Sequence, residues 1–166
     1  MAGLTISIAT GLRSVFAQLE GTRLAKTTAN SLPLLAGLSA IHLIGFTLLM
    51  GGAIVANLRL AGVLFPRQPL DDIRRPAENG MIVGLLISVT TGFLLFSGRA
   101  SEASQNTFFQ FKMAALVASF VCQFVLQRRI LPATGEPDYT ARAIGIVGLM
   151  LWFTVAIAAC AFLLLE

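Results

Sequence analysis

Four stretches of the chain, uncharged or nearly so, run for about the thickness of a bilayer, and no other feature narrows the possible folds so far. They are Leu32 to Leu58, Gly80 to Gly98, Met113 to Gln127 with the aromatic lead-in Phe108 to Phe111, and Ala143 to Leu165. A helix needs roughly 20 apolar residues to cross the hydrocarbon. In the second run whole turns lack any charge, as in Leu85-Leu86-Ile87-Ser88-Val89-Thr90-Thr91-Gly92-Phe93-Leu94-Leu95-Phe96. A soluble bundle keeps one polar face per helix, so that reading fails. No period-two alternation is sustained, which removes a transmembrane barrel. Only 12% of the residues are charged, about half the share in soluble domains. The expected fold class is all-α: a transmembrane four-helix bundle with spans at about 32–58, 79–98, 107–128 and 142–165.

Residues 4–19 place Ile8, Leu12, Val15, Phe16 and Leu19 on one side at helical spacing, opposite Ser7, Ser14 and Gln18. This pattern predicts an amphipathic helix lying at the membrane interface, with 20–30 as connector, so that residues 1–30 precede a membrane domain of 31–166. No cleavable signal peptide is evident, because the N-terminal apolar portion is short and carries Gly11 and Arg13.

Local signals place the helix ends. Ser31 and Pro33 suit a first-span N-terminus. Pro69, Asp71, Asp72, Arg74 and Arg75 have the charge order of a one- or two-turn helix that Pro76 would close. Thr107 and Gln110 fit a capping box for the third span. Asn57, Arg59 and Asn106 fall near helix ends, where hydrogen bonds and headgroup contacts are expected, Arg59 by extending its guanidinium outward.

An even number of spans puts both termini on one side. Five bases lie there (Arg13, Arg23, Lys26, Arg99, Lys112), against seven on the other (Arg59, Arg67, Arg74, Arg75, Arg128, Arg129, Arg142). The positive-inside tendency then predicts cytoplasmic loops at 66–79 and 129–141, with both termini periplasmic or extracellular, in a bacterial inner membrane. The formal charge of +4 is divided among loops, with no basic stripe for nucleic acid. Membrane lipids are the expected partners, with a homo-oligomer or a larger complex beside them.

Gly80, Gly84, Ser88 and Gly92 recur every fourth residue, which predicts a narrow face for close helix packing. Cys122 and Cys160 fall at different depths, about 22 Å from one membrane face and about 27 Å from the other at 1.5 Å per residue, so no disulfide is expected.

His42, the single histidine, sits inside the first span. Depth counting puts it about 12 Å below the termini-side face, with Thr90, Thr91 and Thr154 near the same level and Lys112 slightly shallower, so one polar layer is expected. Three roles follow for His42: a hydrogen-bonded packing element, a ligand to haem b or copper with Met113 as second donor, or part of a small-solute or lipid-handling site. No Met-x-Met, Cys-x-x-Cys or His-x-x-His cluster accompanies it, and phosphate-loop, serine-nucleophile and zinc-protease motifs are missing from the sequence.

The set His42-x-x-Gly45, Gly51-Gly52, Asn57-Leu-Arg-Leu-Ala-Gly62, Pro69-Leu, Gly92-Phe-Leu-Leu-Phe and Asn106-x-x-Phe109-x-x-Lys112 resembles a bacterial family of four-span integral membrane proteins of unknown function. The resemblance covers His42 to about Lys112 most clearly. It implies the four-helix membrane fold and an unusual role for His42, Arg59, Asn106 and Lys112. A more distant likeness is to the haem-binding bundles of bacterial cytochrome b type and to copper-resistance membrane proteins, from whose haem plan this chain departs by its single histidine. The functional expectation is an integral membrane accessory or structural subunit, with a haem or copper redox module as the rival.

Overall fold

The computed structural model describes residues 14–127 and 138–164 and is all-α. Residues 14–20 form α1, followed by α2 (Arg23–Asn30), α3 (Leu32–Leu60), α4 (Leu70–Ser97), α5 (Ala100–Gln105), α6 (Thr107–Phe120) and α7 (Tyr139–Leu164). A π-helical segment, Val121–Leu126, continues α6. Among the described residues four helical stretches are long and apolar enough to cross a membrane: Leu32–Leu60, Leu70–Ser97, Thr107–Val125 and Tyr139–Phe162. The chain is a multi-pass helical membrane protein. The amphipathic pattern over 4–13, the 129–137 loop and Leu165 fall outside the described residues.

Helix α3 is central, packing on α4 along one side and on α7 along another, while α6 packs on α7. Their common core is Leu49, Met50, Ala53, Met81, Ala115, Trp152 and Val155. At the termini side a row of rings links the elements. Phe16 meets Phe96 edge-on at 5.7 Å, Phe96 stacks on Phe109 at 5.2 Å, and Phe109 meets Phe162 at 5.7 Å. The Glu20 carboxylate accepts from the Ser101 amide at 2.7 Å and its hydroxyl at 3.0 Å, fastening α1 to the start of α5.

The small-residue face expected on α4 is used unevenly. A side chain on Gly84 would collide with the Leu49 amide and lie 2.6 Å from the Gly45 carbonyl oxygen, so α3 and α4 touch backbone to backbone there. Gly80, by contrast, faces open space, and Gly92 meets only the His42 ring. The matching face on α3 is Gly45 and Gly52, with Gly52 against the Ala77 carbonyl.

Two expected helix ends move, and a third stays in place. Pro76 does not close a loop helix, because α4 runs unbroken from Leu70 to Ser97 with Pro76 inside it. Ion pairs bracket the proline, Asp71 with Arg74 and Arg75, and Arg74 with Glu78 across it, and these join the turns on either side. Thr107 is not the N-cap of α6: Asn106 is, its side-chain oxygen accepting from the Phe108 and Phe109 amides, and Gln110 turns back to the Ser104 carbonyl instead. Ser31 occupies the N-cap position of α3 without a side-chain capping bond, and Pro33 lies in the first turn.

Candidate functional site

The polar side chains within the spans fall into two groups at different depths. The first is at His42. Helix α3 carries it opposite Thr91 of α4, with its Nδ1 3.0 Å from the Thr91 hydroxyl oxygen. That hydroxyl already donates to the Ile87 carbonyl at 2.7 Å, the back-bond a threonine makes in a helix. It therefore accepts from the ring, which fixes the proton on Nδ1 and leaves Nε2 as the bare nitrogen. Gly92 makes room, since a methyl there would stand 3.0 Å from His42 Cε1. Lys112, on α6, is near enough for its charge to act on the imidazole, and its ammonium lies 5.9 Å from the centre of the Phe162 ring.

The expected polar layer does not assemble beyond this pair. Thr90 is exposed and back-bonds to Leu86, and Thr154 back-bonds to Met150, so equal depth did not mean a shared face. Met113 is 42% exposed, on an outward face of α6. Among the described residues no group of three His, Cys, Asp or Glu side chains is placed to hold a metal ion. Haem or copper does not fit the donor set of one chain, which offers a single imidazole and a methionine turned outward. Both cysteines are free, Cys122 buried and Cys160 exposed.

The second group lies toward the loop side and corrects the reading of Asn57 and Arg59. Asn57 does not reach headgroups; it is fully buried. Its amide nitrogen donates to Gln123 Oε1 at 2.7 Å and to the Ala53 carbonyl at 2.8 Å. Gln123 in turn donates to Gln127 Oε1 at 2.8 Å, and Gln127 donates back to Asn57 Oδ1 at 2.9 Å. Three primary amides thus close a ring in which each gives one hydrogen and receives one. The Trp152 indole adds a longer contact, 3.4 Å to Gln123 Oε1, from α7. The ring joins α3, the π segment and α7. Gly148 permits it, because any side chain there would overlap Asn57 Oδ1.

Arg59 is also buried, 3% exposed, and does not extend outward. Its guanidinium donates to the Gln68 carbonyl in the loop that follows α3. Gly62, at φ +78°, makes the turn that brings this loop back over the helix end.

Gln123 and Gln127 escaped the sequence reading, which took them as part of an apolar run. The signal was present: two glutamines four apart lie on one helical face, and a lone asparagine in another span is a fitting partner. Residues 26–163 match a family described as a family of unknown function, DUF6644. No curated protein and no solved structure matches the chain.

Proposed function

Because the chain belongs to the DUF6644 family of unknown function, we propose that it is a non-enzymatic accessory or structural subunit of a bacterial inner-membrane assembly. One observation carries this reading: the three fully buried amide side chains, Asn57, Gln123 and Gln127, use their hydrogen bonds on one another and present no open set of groups to a substrate. In lipid such bonds hold helices together where the hydrophobic effect between helices is lost. Association with other copies or other subunits then falls to the outward faces. The charge asymmetry of the loops supports cytoplasmic 66–79 and 129–141 segments and periplasmic termini. Labelling of single cysteines placed in those loops from the periplasmic side would contradict that orientation.

The test is a preparation in mild detergent after cross-linking in native membranes. The expected result is a colourless, properly folded protein recovered in a discrete larger species. A Soret band or stoichiometric copper that disappears in a His42→Ala variant would replace this reading with the redox one.

A second reading rests on His42. Thr91 holds its Nδ1, and Lys112 is near enough for its charge to act on the ring, so that an imidazole and an ammonium could together meet a small polar solute. Mass measurement of a bound small molecule lost in both His42→Ala and Lys112→Met would favour it; an unchanged mass spectrum would remove it.

A further inference from the structure

Two side chains able to carry positive charge, His42 and Lys112, lie on the inward stripes of their helices in the termini-side half of the bundle. On α3, His42 shares a face with the buried Gly45 and Leu49, three and seven residues on. On α6, Lys112 stands in the same relation to the buried Ala115 and Ser119. The residues beside them, Ile41, Leu43, Phe111 and Met113, are exposed. A lysine that reached for the headgroups would leave the inward stripe. Lys112 instead keeps its ammonium by the Phe162 ring, where its charge acts on the imidazole. Neither base is fully buried, so each keeps surface that a ligand can reach, unlike the closed ring of amides.

What the pair lacks is a negative charge. None of the ion pairs among the described residues includes His42 or Lys112. The described acids are engaged elsewhere: Glu20 with Ser101, Glu102 with Arg99, and Asp71 and Glu78 with arginines at the loop-side end of α4. Asp138 caps α7 at its loop-side start, accepting from the Ala141 amide. Glu78, the acid of α4 closest to Thr91, is about 20 Å from it along the helix. An ionisable group within a span is costly unless it is paired, and the described part of the chain supplies this one with no anion.

The donor set selects the class of anion. Lys112 brings one formal positive charge and three hydrogens, while the imidazole can give or take one proton at the nitrogen that Thr91 does not hold. A carboxyl group matches both: one oxygen accepts from the ammonium, and the other meets the ring through a shared proton. A phosphate dianion would bring a second charge to be desolvated against a single lysine. The rings of Phe109 and Phe162, 5.7 Å apart beside Lys112, offer an apolar wall to the rest of the ligand.

Resting on the second reading above, in which His42 and Lys112 hold a small solute, we propose that this solute is a carboxylic acid, bound as the counter-charge of Lys112 with its carboxyl group between the ammonium and the imidazole. The same chemistry is offered by a fatty acid arriving from the bilayer and by an organic acid arriving from water.

The experiment follows the thermal midpoint of the full chain in mild detergent during titration with octanoate, with succinate, and with octanamide, the uncharged counterpart of octanoate. A ligand of the folded state raises the midpoint by mass action. A carboxylate should do so saturably, octanoate if the source is the bilayer and succinate if it is water, while octanamide should have no effect. Lys112→Met should weaken binding of the effective acid about tenfold or more, the loss of one charged hydrogen bond. His42→Ala should weaken it as well. Lys112→Arg, which keeps the charge, and Met113→Leu, on the outward face, should bind as wild type does. Equal stabilisation by octanoate and octanamide, lost in His42→Ala, would leave a solute site in place and overturn its anionic character. No shift with any of the three, or an octanoate shift untouched by both His42→Ala and Lys112→Met, would overturn the proposal together with the reading on which it rests.

Discussion

The glycines of α4 show why a residue's neighbours, rather than its spacing, decide its role. Gly84 and Gly80 are equivalent in the sequence pattern, yet one faces the α3 backbone and the other faces open space. A methyl on Gly84 must push two helices apart, and overpacking of this kind costs about 1–3 kcal/mol. Gly84→Ala should therefore lower the thermal midpoint of the detergent-solubilised protein, while Gly80→Ala should leave it unchanged or raise it through better helix propensity. Equal effects at the two sites would mean that the α3–α4 seam lies elsewhere. His42 gives a second lesson: its partner Thr91 occupied the depth inferred from the sequence, but Thr90 and Thr154 at similar depth turned away.

At the scale of elements, the spans were legible because length without charge is a property of composition along the chain, and it survives ignorance of rotation. The amide ring was not legible for the same reason. A helix apolar on every side carries no moment to say which residues face inward. Within α6 the phase is further altered by the π segment Val121–Leu126, whose wider turn moves Gln123 and Gln127 relative to α-helical counting from Thr107. Pro76 misled in the opposite sense, as a strong breaker overruled by its setting. It leaves the Asp72 carbonyl without an intrahelical donor, while ion pairs from Asp71 to Glu78 keep the helix continuous. Replacing it with alanine restores that donor, so Pro76→Ala should raise stability, by at most about 3 kcal/mol. A fall in the thermal midpoint would show that α4 depends on the proline's bend for its fit to α3.

Across the whole molecule the polar groups of the spans divide by level. The termini side has a histidine with one nitrogen bare, a lysine over an aromatic ring, and a row of phenylalanines joining α1, α4, α6 and α7. Toward the loops lies a neutral ring of amides that ties α3 to the π segment and α7. A bundle whose central helix is fastened internally in this way can leave its outer faces to lipid and to other subunits. The claim that these buried groups serve helix association is tested most directly by a double-mutant cycle at Asn57 and Gln123, each changed to alanine singly and together, with unfolding free energy measured in detergent or bicelles. The ring requires each single change to be costly and the pair to cost less than their sum, with a coupling of about 0.6–1.7 kcal/mol, the range of interhelical hydrogen bonds in membranes. Strict additivity of the two losses would contradict it.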